Sequence, residues 1–307
     1  MPAHGVMFHH FHSAVHPAGQ GSVSGQQLSR MIESIGPERI LPAREFHWRS
    51  LHGQLRPNDV CLTFEDNLRC QYDIAVPVLE RFGLTAFWFV YTSVLQGNIE
   101  PLEVYRHFRM TQFDSVDAFY DAFFNALRES PYHALAEMLL EEFNPRTYLN
   151  GFGFYSDADR KFRFVRDEVL GPARYRELMD RMMDLAGIDA DEVAKSLWMD
   201  DAAIRKLHDT GQVIGLHSHS HPTRVEHLDE DGQRDEYFAN YSYLHSLNGE
   251  RPTAMSHPCN SYNATSLSIL RELGITLGFR ANMAQGVTSE LEYPREDHAN
   301  LMQAMAA

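Results

Sequence analysis

Val60-Cys-Leu-Thr-Phe-Glu-Asp66 is an apolar run that ends in two adjacent acids. A second apolar run, Val213-Ile-Gly-Leu216, leads directly into His-Ser-His-Ser-His221. Short apolar runs of this length are typical of buried parallel strands. Because the side chains that follow parallel strands meet at the same end of a barrel, these carboxylates and imidazoles are expected to face one another. Two imidazoles and a carboxylate form an open site for a divalent cation, and the second acid is then free to accept a proton.

Strands and helices alternate around these two stretches. Gly5-Val-Met-Phe-His-His-Phe11 predicts a first buried strand, and Ser24-Gly-Gln-Gln27 has the pattern of a helix capping box. An apolar stripe at helical spacing over residues 74–82 ends at Gly83 and is followed by a third strand, Ala86-Phe-Trp-Phe-Val-Tyr91. This alternation predicts an α/β fold with parallel strands and with its chemistry at their carboxyl ends.

The pattern changes to consecutive helices in residues 97–198, where many phenylalanines are concentrated. We interpret this block as a helical subdomain inserted into the barrel. The alternation then resumes with strands at 213–216 and 275–279. We therefore predict a single domain over residues 1–307 that contains the insertion. The helices predicted in the block are residues 116–127, 133–142, 173–185 and 191–197.

The composition excludes several classes of protein. The 307 residues are 44% hydrophobic and 22% charged, as in a chain with a sizeable core. The net charge of −15 disfavours nucleic acid and anionic membranes as partners, and it says nothing about subunits. Three cysteines without a Cys-x-x-Cys pair do not make a disulfide framework. With no signal-peptide pattern and no long apolar run, we expect a cytoplasmic protein without a membrane span.

The strand ends resemble the polysaccharide deacetylases of the NodB type, carbohydrate esterase family 4. Val60–Asp66 is similar to the family's Thr-Phe-Asp-Asp motif, and His217–His221 matches its His-Ser/Thr-x-x-His motif. A weaker match is Ser256-His-Pro-Cys-Asn-Ser-Tyr-Asn263. The resemblance implies a distorted (β/α) barrel of the polysaccharide deacetylase type with an inserted helical subdomain. The similar segments are residues 5–15, 60–92 and 200–282.

The resemblance also implies a ligand set. Asp66, His217 and His221 would bind a divalent metal, for which Zn²⁺ is favoured and Co²⁺, Ni²⁺, Mn²⁺ or Fe²⁺ are alternatives. Glu65 takes the position of the general base, where the family has Asp, and its extra methylene leaves both activity and loss of activity open. A competing interpretation makes Asp66 the N-cap of the next helix. His219, between the two histidines of the set, is expected to lie beside the ligands or to face solvent rather than to bind the metal.

Proton transfer needs further residues, which the sequence places less firmly. The family's third motif begins with an Arg that orients the base, whereas this chain has Ser256-His257 in that region. Either His257 or Arg295 could replace that Arg. The family's general acid is a histidine late in the chain, for which His298 is the first candidate and His257 the second.

Other residues are candidates for contact with substrate. His9, His10 and His12 either line the mouth of the barrel or belong to a polar loop. Phe162-Arg-Phe-Val-Arg-Asp167 either grips an anionic or hydroxyl-rich substrate or forms a solvated ion-pair face. The residues we assign to substrate binding are His10, Cys259 and Arg295.

The resemblance implies a metal-dependent hydrolase that removes an N-acyl group, in the first place N-acetyl, from an amino sugar or glycan precursor. The helical block is expected to supply specificity, because insertions at a barrel mouth are where substrate contacts vary. Two alternatives remain. The same fold could hydrolyse a non-sugar C–N amide bond, or Glu65 and the missing Arg could mark a catalytically silent protein that binds a metal or a glycan.

Overall fold

Seven strands form the central sheet in the computed structural model, which describes residues 1–149, 155–286 and 289–306. All pairings between neighbouring strands are parallel, as the alternation of strands and helices predicts. The strands are β1 (His4–Phe8), β2 (Val60–Glu65), β3 (Phe87–Val90), β4 (Val213–Leu216), β5 (Ala254–Ser256), β6 (Leu277–Phe279) and β7 (Arg295–Asp297).

The sheet curves into a nearly closed barrel. Its strand order is β6-β5-β4-β3-β2-β1-β7, and the gap between the two edges is bridged by the segment that precedes β7. There, Tyr293 pairs in parallel with Phe279, and its N–H donates to the carbonyl of Gly278. A Cβ on Gly278 would lie 2.4 Å from the carbonyl oxygen of Leu291, so glycine permits this close approach. The predicted (β/α) barrel is confirmed.

Helices connect the strands and cover the sheet. The predicted capping box is present, because Ser24 Oγ accepts the N–H of Gln27 and the Gln27 side chain accepts the N–H of Ser24. Within the described part of the chain, no helix is both long enough and apolar enough to cross a membrane. The helices are α1 (Gly25–Ile35), α2 (Ala43–Leu51), α3 (Arg69–Phe82), α4 (Pro101–Thr111), α5 (Val116–Arg128), α6 (His133–Leu140), α7 (Asp157–Phe164), α8 (Gly171–Ala186), α9 (Ala190–Ala194), α10 (Asp201–Asp209), α11 (Glu230–Asn248), α12 (Ala264–Glu272) and α13 (His298–Ala306).

The chain divides into two compact units. The first consists of Met1–Glu100 and Leu197–Ala307 and contains the barrel, and the second is Pro101–Ser196. The second unit falls inside the range for which the sequence predicts a helical insertion. It contains α4 to α9, and a π-helical segment, Val165–Leu170, follows α7 directly. Its core is aromatic, with the ring of Phe162 edge-on to Phe123 at a centroid distance of 4.9 Å.

Alternating residues of the strands face opposite sides of the barrel wall. On the outer side, Phe64 stacks on Trp88 at 4.3 Å in the layer beneath the helices. On the inner side, Cys61, Phe87 and Phe279 pack together. Because side chains alternate along a strand, Glu65 faces inward like Cys61, at the carboxyl end of the barrel interior. The fold therefore directs the last acid of β2 into a buried position.

Candidate active site

The candidate site is built on the turns that follow β2, β4 and β5. Several non-glycine residues in these turns have positive φ angles, among them Asp66 at 71°, Ser218 at 63° and His221 at 56°. Such backbone conformations are costly for residues with a Cβ, and they collect where a side chain must be aimed. The turns after these strands are therefore shaped to direct the polar side chains that they carry.

The structure brings Asp66, His217 and His221 together. Asp66 Oδ1 lies 3.4 Å from Nε2 of His217 and 3.3 Å from Nε2 of His221. One potential ligand atom from each residue lies within 4.8 Å of the other two. Asp66 Oδ1 is buried and has no hydrogen-bond partner among the described residues, which is costly for a carboxylate oxygen. The set fits a divalent cation, which would satisfy that oxygen.

Neighbouring groups fix the two imidazoles. His217 Nδ1 lies 2.9 Å from the carbonyl oxygen of Ser256, so it carries the proton and leaves the Nε2 lone pair free to bind a metal. The backbone N–H of His217 donates to Asn240 at 3.0 Å. His221 stacks on Tyr91 with a centroid distance of 5.0 Å. Although burial opposes ionisation, the imidazoles of His221 and His217 hold the pKa of Asp66 below its usual value.

Glu65 is buried beside the three ligands, and both of its oxygens have partners. Oε1 accepts hydrogen bonds from Ser256 Oγ and from Arg295 Nη1. Oε2 lies 3.1 Å from His9 Nε2. Burial favours the neutral acid, but the positive charge of Arg295, helped by His217 and His9, holds the pKa of Glu65 well below its ordinary value. Glu65 is therefore a carboxylate in a fixed orientation.

His9 contacts Glu65 in the structure, although the sequence does not distinguish it from the neighbouring histidines. The N-terminal histidines are candidates for the barrel wall, and of these only His10 is assigned to substrate. In the structure, His10 is half-buried and stacks on His9, and it is His9 that contacts Glu65. Burial would lower the pKa of His9, but the hydrogen bond and charge of Glu65 raise it to about 9. His9 is thus a charged imidazolium at neutral pH.

Of the two candidates for orienting the predicted base, Arg295 contacts Glu65, whereas the hydrogen bond of His257 is to another segment. The Nε of Arg295 donates to the carbonyl of Arg280 at 2.9 Å, and its Nη1 donates to Glu65. Because its side chain has 0% exposed surface, it contacts protein only, and the assignment of Arg295 to substrate binding gains no support. His257 Nε2 donates instead to the carbonyl of Leu291, and burial lowers the pKa of this ring to about 4.

The two remaining predicted residues are His298, which follows β7, and Cys259, which follows β5. Both ring nitrogens of His298 lie within hydrogen-bond distance of backbone carbonyls. Nδ1 is 3.1 Å from the carbonyl oxygen of Met7, and Nε2 is 2.9 Å from that of Gly21. These contacts do not link His298 to the site carboxylates, so its role as general acid stays a prediction. Cys259 is exposed in the turn after β5, with a φ of 50°, and its contact with substrate likewise stays a prediction.

Comparison with known proteins agrees with this architecture. The family model for polysaccharide deacetylases matches residues 187–278, which include His217 and His221. A deacetylase from Streptococcus pyogenes, PplD, solved in complex with acetate, superposes with a TM-score of 0.57 over 99% of this chain and 98% of its own, at 16% identity. The chain has the polysaccharide deacetylase fold. The predicted resemblance is confirmed at this level.

Two further solved structures share the polysaccharide deacetylase fold with this chain. IcaB from Ammonifex degensii is 13% identical and gives a TM-score of 0.56, with 99% of this chain and 96% of that one covered. A de-N-acetylase from Aggregatibacter actinomycetemcomitans is 10% identical and gives 0.55, with 96% and 94% covered. No curated protein sequence matches the chain. At these identities the likeness concerns the fold, so the function rests on the site.

Proposed function

We propose that this protein is a metal-dependent hydrolase that removes the acetyl group from an N-acetylated amino sugar. The observation that carries the proposal is the convergence of Asp66, His217 and His221, with an unsatisfied Asp66 Oδ1, directly beside the carboxylate of Glu65. The names of the similar structures support the choice of reaction, since they include a deacetylase in complex with acetate and a de-N-acetylase.

Asp66, His217 and His221 would hold the cation, with Zn²⁺ favoured. When bound, a cation with three protein ligands supplies a Lewis acid for the amide carbonyl and lowers the pKa of water. His217 donates its Nδ1 proton in a hydrogen bond to the carbonyl of Ser256, so its Nε2 is available to the cation without any change of tautomer. The open coordination positions would face the substrate.

Glu65 would accept the proton of the attacking water. Arg295 and Ser256 hold Oε1, which leaves Oε2, on the side of His9, as the oxygen that can take up a proton. His9, charged and with 28% of its side chain exposed, could then donate a proton to the amine that leaves. Glu65 would thus take one proton from water, and His9 would give one proton to the leaving amine.

The proposed substrate is a neutral amino sugar or a glycan precursor that contains one, in the cytoplasm. The scarcity of cysteine and the absence of a disulfide framework in the sequence support this location. The excess of 42 acidic over 27 basic side chains disfavours polyanionic glycans over most of the surface.

The test uses the full chain, chitooligosaccharides and a fluorescent assay for released amines. We expect Glu65→Gln to retain bound metal and to lose about 10²-fold or more in kcat/KM, as expected for loss of a general base. Asp66→Asn should lose both metal and turnover. The matched control is His227→Gln, an exposed histidine of the same unit.

Two outcomes would contradict the proposal. Unchanged turnover in Glu65→Gln would remove Glu65 from the chemistry. Wild-type protein that binds about one metal equivalent but releases amine from no N-acetylated sugar would favour the silent binding protein, or, if it cleaves other amides, the hydrolase of non-sugar C–N bonds.

A further inference from the structure

Three arginines of the helical unit, away from the residues used above, carry charges that act on one another. Arg109 lies near the end of α4, Arg163 near the end of α7, and Arg166 in the π-helical segment. Arg166 has a partner, because its Nε and Nη2 donate to the two oxygens of Asp167 at 2.6 and 2.8 Å. Its charge is therefore neutralised by a bidentate pair.

Arg163 and Arg109 have no carboxylate partner among the described residues. The guanidinium of Arg163 lies 4.1 Å from the ring centroid of Tyr155, and its Nε is buried without a hydrogen bond. Arg109 lies 5.8 Å from the ring of Phe119. The carboxylate of Asp159 accepts hydrogen bonds from the hydroxyl of Tyr120 and from the backbone N–H and the hydroxyl of Ser156. Both residues are half-buried, and a guanidinium taken partly out of water without a counter-charge favours the binding of an anion.

Tyr175 adds a hydroxyl to the same group of residues. Its side chain is 6% exposed, and its ring lies 6.2 Å from the ring of Phe162, the residue before Arg163. Burial raises the pKa of Tyr175 to about 12, against the positive charges of Arg166, Arg109 and Arg163, so the hydroxyl remains a donor. Burial lowers the pKa of Arg163, and the charges of Arg166 and Arg109 lower it further, which indicates that the three guanidiniums act on one another.

The backbone at Arg166 is also unusual. α7 passes into a π-helical turn over Val165–Leu170, which includes Arg166. π-Helical turns are rare, and within helices they are found mostly at functional sites. A helical subdomain that only packed against itself would need neither this turn nor two uncompensated guanidiniums.

We propose that Arg109, Arg163 and Tyr175, beside the Arg166–Asp167 pair, bind the phosphate group of a phosphate or a phosphate monoester. Two guanidiniums without a counter-charge match the charge of a phosphate dianion, and their planar forks match its oxygens. The Tyr175 hydroxyl supplies a further donor. This site goes beyond the proposed deacetylation, because binding of the anion needs neither the metal nor Glu65.

The experiment is calorimetric titration of the full-length protein with inorganic phosphate, with N-acetylglucosamine 1-phosphate and with acetate. We expect saturable binding of a phosphate compound, weakened about tenfold or more in Arg163→Gln and in Arg109→Gln, since each removes a charge-assisted hydrogen bond. Arg163→Lys should lose part of the affinity because it keeps the charge without the fork. The matched control is Arg181→Gln, an exposed arginine on α8, with no expected change.

The three ligands separate the possible sources of the phosphate. Tighter binding of the sugar phosphate would support a phosphate monoester as the ligand, and equal binding would support the phosphate group alone. Acetate as tight as phosphate, no saturable binding of either phosphate compound, or equal weakening in Arg181→Gln would overturn the proposal. If Arg163→Gln does not fold, as judged by circular dichroism, Tyr175→Phe and Arg109→Gln still decide it, because both are expected to weaken binding.

Discussion

Glu65 and Arg295 form a buried ion pair in which each residue depends on the other. Their side chains are 5% and 0% exposed. An ion pair taken out of water adds little to stability as a pair, but removal of one partner leaves an uncompensated charge in the interior. The pair therefore links the integrity of the barrel to the orientation of the proposed base.

Substitution of Arg295 tests this dependence. We expect Arg295→Gln to lower the free energy of unfolding by about 3–5 kcal/mol, because Glu65 loses its fully buried counter-charge and keeps only the partly exposed imidazolium of His9. The matched control is Arg44→Gln, which breaks the exposed pair with Glu250 and should cost less than about 1 kcal/mol. Urea unfolding of both variants measures the difference. Equal losses in the two variants would contradict the buried-pair interpretation.

His257 predicts a specific sensitivity to acid. Its pKa falls from the ordinary 6.5 to about 4 because the ring is buried. Between these values the unfolded chain binds a proton that the folded ring does not, so stability falls as the pH drops from about 6.5 to about 4. In metal-free protein, the free energy of unfolding falls as the pH is lowered from 7 to 4.5. We expect this fall to be about 2–3 kcal/mol smaller in His257→Gln than in wild type. His227→Gln, an exposed control, should follow wild type. Parallel pH profiles for wild type and His257→Gln would contradict this.

The sequence predicts the metal ligands because their signal is local. An apolar strand followed by acids, and another followed by spaced histidines, places both groups at one end of a parallel barrel before any tertiary contact is known. The partners of Glu65 carry no such signal. Arg295 is one of several charged residues late in the chain, and His9 is one of several histidines after β1. Their roles follow from contacts between distant strands.

At the scale of elements, β7 and α11 are not predicted from the sequence, and the composition of each explains why. β7 consists of Arg-Glu-Asp, which has no apolar pattern, and its Arg295 is buried with hydrogen bonds to Glu65 and to the carbonyl of Arg280. The buried face of α11 is formed by Gln233, Tyr237, Asn240 and Leu244. These residues have helical spacing, but two of them are amides, so a search for apolar stripes misses the helix that supplies Asn240 to His217.

The contact that closes the barrel predicts the effect of one methyl group. A Cβ on Gly278 of β6 would meet the Leu291 backbone at 2.4 Å, and backbone cannot move aside as a flexible side chain can. We expect Gly278→Ala to lower the free energy of unfolding by about 2 kcal/mol or more. Gly25→Ala, whose added Cβ would lie 3.4 Å from its nearest neighbour, should change it by less than about 1 kcal/mol. Chemical denaturation compares the two, and an unaffected Gly278→Ala would contradict a tight closure.

At the scale of the whole molecule, the proposed metal should stabilise the folded chain. A ligand that binds only the folded state adds about 2.7 kcal/mol at a free concentration 100 times its Kd. We therefore expect removal of metal by a chelator to lower the Tm and Zn²⁺ to restore it, as followed by differential scanning fluorimetry. His217→Ala should show no response to Zn²⁺, whereas the exposed control His227→Ala should respond like wild type. A wild-type Tm that ignores both chelator and Zn²⁺ would contradict the ligand set.

The pairing of β7 with β1 has a consequence for synthesis on the ribosome. Glu65 leaves the ribosome 230 residues before Arg295, and Gly5 of β1 leaves it 290 residues before Arg295, its pairing partner in β7. A nascent chain that has made β1 to β6 still carries an open barrel edge and a carboxylate without its guanidinium, and such intermediates are prone to aggregate. We therefore expect the growing polypeptide to be most prone to aggregate in the interval before the last strand has emerged.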